Sequence, residues 1–144
     1  MVVAIGTAAV LIVPTLVAVP ARYRAVDESR DRSAVWWTDH ALSVMEDDAL
    51  IVSWWSYSTP LWYAQRVEGR RPDLAIMDDR TIQDLELGDI YDVIDQNLGK
   101  RPVYVIRDDQ QQIDELARRY ELEFIDGNSA RTLTRVIGLK AATQ

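Results

Sequence analysis

Hydrophobic and polar positions divide this 144-residue chain into three unequal parts. The first is an unbroken apolar run from Val2 to Ala21, "VVAIGTAAVLIVPTLVAVPA", without a single charged side chain. At about 1.5 Å per residue, a helix of that length covers roughly 30 Å, the hydrocarbon thickness of a bilayer. The run therefore predicts a transmembrane helix over residues 1–21 and a cell-membrane location. A secretory leader cleaved near Ala18 or Ala21 competes with this reading, but the run is long for a leader and no basic segment precedes it. A buried core helix is the third alternative, and few soluble helices are apolar on every side. Pro14 predicts a kink, and Arg22 with Arg24 favours a cytoplasmic side after the run. Residues 22–33, "RYRAVDESRDRS", mix both signs of charge and read as a connector.

From residue 34 the pattern alternates between strand and helix periods and predicts a soluble α/β domain over 34–144. Ala34, Trp37, Ala41 and Val44 share one helical face. "ALIVSW" (49–54) is a short, wholly apolar run, as expected of a strand covered on both faces. Thr59 and Pro60 then read as the N-cap and first position of a helix that Gly69 stops. "DLAIMD" (73–78) and "PVYVIR" (102–107) are further buried strands. Between them, Ile90, Ile94 and Leu98 stack on a helix with glycine at both ends. Asp109 with Gln112 resembles a capping box before a helix carrying Ile113, Leu116, Ala117 and Tyr120. "LEFID" (122–126) alternates strictly, as at a sheet edge, and "RTLTRVIGL" (131–139) is a possible last strand. The pattern predicts a small, Rossmann-like, mostly parallel open sheet of four or five strands with helices on both faces.

Composition removes several function classes. A formal net charge of −7 argues against a nucleic-acid partner, since phosphate neutralisation needs clustered Lys and Arg. There is no cysteine and only one histidine, His40, which sits on an amphipathic helix where a structural role outweighs a catalytic one. Neither a thiolate metal site nor a Ser–His–Asp triad fits such a composition. Dinucleotide, P-loop and nucleophile-elbow motifs are missing from the sequence.

Candidate chemistry gathers where an open α/β sheet binds ligands, beyond the carboxyl ends of its strands. Trp54, Trp55, Ser56, Tyr57, Ser58 and Thr59 follow the first strand with aromatic walls and hydroxyls. As alternate side chains of a strand face opposite ways, Trp54 and Trp55 cannot both be core on one side. Asp78, Asp79 and Arg80 end the second strand on the same rim. Adjacent aspartates are candidate oxygen ligands for a divalent cation such as Mg²⁺ or Mn²⁺, although a solvated turn paired with Arg80 explains them equally. Arg107, Asp108 and Asp109 end the third strand, where helix capping is the expected task. Arg70 and Arg71 in "EGRRPD" read as a solvated loop that can meet an anion.

The blocks "SWWSYSTPLWYAQRVEGRRPDLAIMDDRT" and "VIDQNLGKRPVYVIR" resemble the C-terminal end of uncharacterised bacterial multi-pass membrane proteins of GT-C glycosyltransferase type, akin to protein O-mannosyltransferases. The likeness covers nearly the whole chain, as last membrane helix, connector and extracytoplasmic domain. "SWWSY" is more distantly similar to the WWDYG region of the oligosaccharyltransferase catalytic subunit, which recognises an acceptor peptide. Trp54 and Trp55 match its tryptophans and Tyr57 its tyrosine, whereas Ser56 replaces Asp and Ser58 replaces Gly. The resemblance implies a lipid-linked sugar donor, a peptide or glycan acceptor, and a catalytic carboxylate that lies outside this chain. The expected function is an acceptor-binding or structural domain of such an enzyme. The alternatives are a membrane-anchored small-molecule-binding module and a purely structural interaction domain.

Overall fold

The computed structural model describes residues 2–125 and 132–141, in two units, Met1–Ser33 and Ala34–Gln144. The first unit is built on helix α1 (Val2–Val26). The apolar run is thus helical, but Pro14 and Pro20 both lie inside it and Arg24 stands in its last turn. Each proline deletes a backbone hydrogen bond, and past the apolar run the helix continues into charge at Arg22 and Arg24. Among the described residues no helix is long and apolar enough to cross a membrane. That finding overturns both the transmembrane helix and the cell-membrane location.

In the second unit α2 (Ser33–Val44) leads into strand β1 (Leu50–Ser53), which is buried along its whole length. Helix α3 (Trp55–Arg66) follows, then β2 (Ala75–Asp78), α4 (Asp79–Asp84) and α5 (Ile90–Asn97). The chain continues through β3 (Val103–Arg107), α6 (Gln110–Arg119), β4 (Tyr120–Phe124) and β5 (Thr132–Leu139). Asp126 and Arg131, assigned from sequence to the ends of the last two strands, lie outside the described residues.

The five strands form one sheet in the order β2-β1-β3-β5-β4. β1 pairs in parallel with β2 and β3, whereas β5 runs antiparallel to both β3 and β4. Half of the four ladders are therefore antiparallel, and the expected mostly parallel, Rossmann-like sheet is corrected to a mixed one. The reason is chain length. Only residues 125–131 separate β4 from β5, too few for the crossover of a dozen or more residues that parallel neighbours require.

Period-2 alternation on the central strands feeds two cores. Ile51, Ile76, Tyr104, Ile106 and Leu133 face α2 and α3, meeting Ala41, Leu42, Leu61 and Ala64. Leu50, Val52, Val103, Val105 and Val136 face the other way, against Ile82 of α4, Val93 and Ile94 of α5 and Leu116 of α6. A fully buried Leu61 or Ile51 contributes about 1.5–3 kcal/mol each.

Two helix starts differ from expectation. The capping box is at Asp89 and Asp92 on α5, while Asp109 caps α6 through the Gln111 N–H alone. Gly88, at φ 89°, precedes that box, and a Cβ there would lie 2.2 Å from an Asp92 carboxylate oxygen. Helix α3 begins at Trp55, before the expected Thr59–Pro60 start, and encloses Pro60. The Thr59 hydroxyl donates back to the Trp55 carbonyl (2.7 Å) instead of capping. The earlier turn forms because Ser58 is held in the interior, its Oγ 2.5 Å from the Ser53 Oγ at the end of β1.

Tyr120 opens β4 fully buried, with its hydroxyl donating to Asp95 (2.7 Å). Burial first, and that hydrogen bond second, push its phenol well above the ordinary value near 10. A raised folded-state pKa means the associated stability is complete below about pH 10 and is lost as pH climbs past it. Tyr104, also raised by burial, acts in the same direction. Urea unfolding at pH 9, 10 and 11 should show stability falling with a slope approaching about 1.4 kcal/mol per pH unit per tyrosine. Tyr120→Phe should flatten that slope; an unchanged slope would show that Tyr120 ionises freely in the folded state.

Candidate functional site

Strands β1, β2 and β3 end side by side, and the chain leaves them toward opposite faces. After β1 it enters α3 on one core, while after β2 and β3 it enters α4 and α6 on the other. Where adjacent parallel strands diverge in this way, a crevice opens beyond their carboxyl ends. Here β1 has such a divergence on both sides.

On the β2 side lies a cavity of about 360 Å³ lined by Trp54, Trp55, Asp78, Asp79 and Arg80. Trp54 is the N-cap residue of α3 and makes no side-chain capping bond. Trp55 is 66% exposed and Trp54 37%, so neither is core. Asp78 is buried, and its carboxylate accepts from the Thr81 N–H (2.7 Å), capping α4. Asp79 accepts from Arg107 Nη2 at 2.8 Å. Arg80 is exposed and lies 3.7 Å from Asp84 one turn along.

On the β3 side Arg107 is 2% exposed, one of the few buried charges of the domain. Its Nη1 donates to the Ile106 carbonyl (3.0 Å), and its guanidinium lies 5.7 Å from the centre of the Trp54 ring. Arg107 thus ties the end of β3 to the end of β2 beneath Trp54. Burial raises the Asp79 carboxyl above the usual range, with Arg107 opposing and Asp78 adding to the rise. Burial lowers the Arg107 pKa against the pull of Asp79, yet a guanidinium starts so high that it keeps its charge. Nearby, Tyr57 donates to Asp108 (3.0 Å) and packs on Trp37 with ring centres 5.2 Å apart.

The nine residues singled out from sequence thus separate into distinct places. Trp54, Trp55, Asp78, Asp79 and Arg80 meet around one cavity. Ser56 and Thr59 join Trp55 in a second groove of about 500 Å³ between α2 and α3. Tyr57 stands on the β3 side, and Ser58 points into the interior against Ser53. Two groups lie outside those nine. Arg107 had a legible signal, a lone charge closing an otherwise apolar strand, but it pairs with Asp79 instead of serving the expected helix cap. Thr38, Asp39 and Tyr63 of the second groove had none, because only the packing of α2 beside α3 brings them together.

A phosphate-binding turn needs glycines so that backbone can approach the anion, and "SWWS" fills that position with indoles. The Ser53–Ser58 hydroxyl pair is fully buried, and His40 is exposed on α2. Among the described residues no group of three or more His, Cys, Asp or Glu side chains is placed to hold a metal ion. Asp78 and Asp79, the candidate cation ligands, are engaged by a helix cap and by Arg107.

Fold and cleft together define a mixed α/β domain, helices on both faces, with a crevice at the carboxyl ends of its parallel strands. Comparison with protein-family models, with curated proteins and with solved structures finds no match.

Proposed function

We propose that residues 34–144 form an acceptor-binding module of a glycosyltransferase of GT-C type, with the donor and the catalytic carboxylate supplied outside these residues. The observation that carries this reading is the pair of solvent-exposed tryptophans walling a cavity whose polar groups, Asp79 and Arg80, offer acceptor and donor together. Ligand pockets combine apolar walls with a few fixed polar groups in this way. The resemblance of "SWWSY" to an acceptor-recognising region is the second support. A divalent cation is no part of this reading, since both rim aspartates already have partners.

Titrating the full chain with acceptor peptides and glycans, while following the indole N–H resonances, should give saturable shifts at Trp54 and Trp55. Trp55→Ala should weaken that binding about tenfold, equivalent to about 1.4 kcal/mol. As an exposed residue it should leave stability within about 0.5 kcal/mol of wild type. Unfolding of the variant, or shifts elsewhere only, would remove the cleft from consideration. An interaction domain is the second reading, favoured by the exposed Val35, Trp36 and Val67 of the α2–α3 region. It would be supported by silence toward every small ligand.

A further inference from the structure

Trp55 lines both cavities of this surface: the mouth cavity beside Asp79 and the groove between α2 and α3. From that shared wall we infer that the two are subsites of one path, and that the path takes a neutral glycan chain of two or more sugar residues. The inference rests on the proposed acceptor cleft and adds the ligand's class and length.

Three features of the groove support it. Tyr63, 57% exposed, stands with Trp55 as a second aromatic wall. Flat aromatic surfaces suit the apolar C–H faces of sugar rings, as they suit any partner with one apolar side and one wet side. The Ser56 and Thr59 side chains also line the groove, and their oxygens can accept from ring hydroxyls. At the rim, Arg70 lies 2.7 Å from Asp39 and 3.3 Å from Glu68.

The charges identify a neutral ligand. Arg70 is balanced by Asp39 and Glu68, Arg107 by Asp79, and Arg80 stands near Asp84. Each cation along the path therefore has a carboxylate beside it, so the path offers no uncompensated cation to attract an anion. Of the remaining carboxylates, buried Asp78 is taken up by the α4 cap and Glu68 shares Arg70 with Asp39. What the fixed pairs do provide is donors and acceptors at close spacing, which matches vicinal hydroxyls. Length follows from the partition: a ligand filling the mouth must cross Trp55 to reach Tyr63.

The test screens the full chain against an array of neutral glycans one to six residues long and against a serine- and tyrosine-rich peptide, then titrates the best binder. Affinity should rise roughly tenfold or more between one and three residues. Tyr63→Ala should return the trisaccharide to monosaccharide affinity while leaving monosaccharide binding and melting temperature unchanged. If glycans bind with no dependence on length and Tyr63→Ala has no effect, the path is overturned and the single acceptor cleft stands. If only the peptide shifts Trp54 and Trp55, the glycan assignment is overturned and the cleft again stands. If neither probe shifts either tryptophan, the cleft and the path fall together.

Discussion

Replacing Arg71 by alanine should destabilise the second unit by about 3 kcal/mol, because one guanidinium closes the end of a helix and a turn at once. Its Nη1 donates to the Leu42 and Met45 carbonyls (2.8 and 2.9 Å), and its Nη2 to Glu46 (2.8 Å). Its Nε and Nη2 also grip both carboxylate oxygens of Asp73 (3.0 and 2.8 Å). The last carbonyls of a helix have no intrahelical donor, so removing the fork leaves several acceptors unpaired together. Arg71→Lys should restore less than half of the loss, since a single ammonium cannot span that set. Urea midpoints at an unchanged m-value would measure both effects. A loss under about 1 kcal/mol for the alanine variant would show that water replaces the fork without penalty.

Asp79→Ala should cost a similar amount, about 3 kcal/mol, at the low end for breaking a buried ion pair because Asp79 itself is partly hydrated. What makes it expensive is the partner left behind: Arg107 is nearly inaccessible and Asp79 is its carboxylate. Arg107→Met is the informative contrast. It removes the buried cation and leaves a carboxylate that solvent can reach, so it should cost less than half as much. Combining the two substitutions should recover much of the Asp79→Ala loss, a coupling that a double-mutant cycle reads directly. Equal losses for the two single variants would place the burial cost on the carboxylate instead. Asp79→Ala should also weaken any ligand that donates to the cleft, whereas Arg107→Met, beneath Trp54, should alter the indole's position.

These two residues also mark where sequence reasoning stopped. Arg71 reads from the chain as half of a solvated "RR" before proline, yet it is the C-terminal clamp of α2. Nothing local announces that, because the carbonyls it meets lie more than twenty residues earlier in the chain. Arg107 was visible as the charged end of an apolar strand but was assigned to capping. Its actual partner, Asp79, follows the end of β2, on the far side of β1 in the sheet. Thr59 and Pro60 carry a strong local helix-start signal, which the buried Ser53–Ser58 contact overrides. The spacing of the last two strands did hold a usable warning. So short a link cannot make a crossover, and weighing it would have predicted the antiparallel ladder.

The sequence by itself determined most elements of the second unit and which of their faces are buried, because period-2 and period-3.6 patterns are local consequences of backbone geometry. Helix α4 was not read from it, and Tyr120, read as part of the preceding helix, opens β4 instead. It also determined that indoles and rim carboxylates follow the first two strands. Only the tertiary structure decided strand direction at β5, the separation of Ser58 from its neighbours, and the union of Trp54, Asp79 and Arg107 across three strand ends. Those outcomes depend on which segments meet in space, and such meetings are set by chain length between elements and by the burial of groups far apart in sequence.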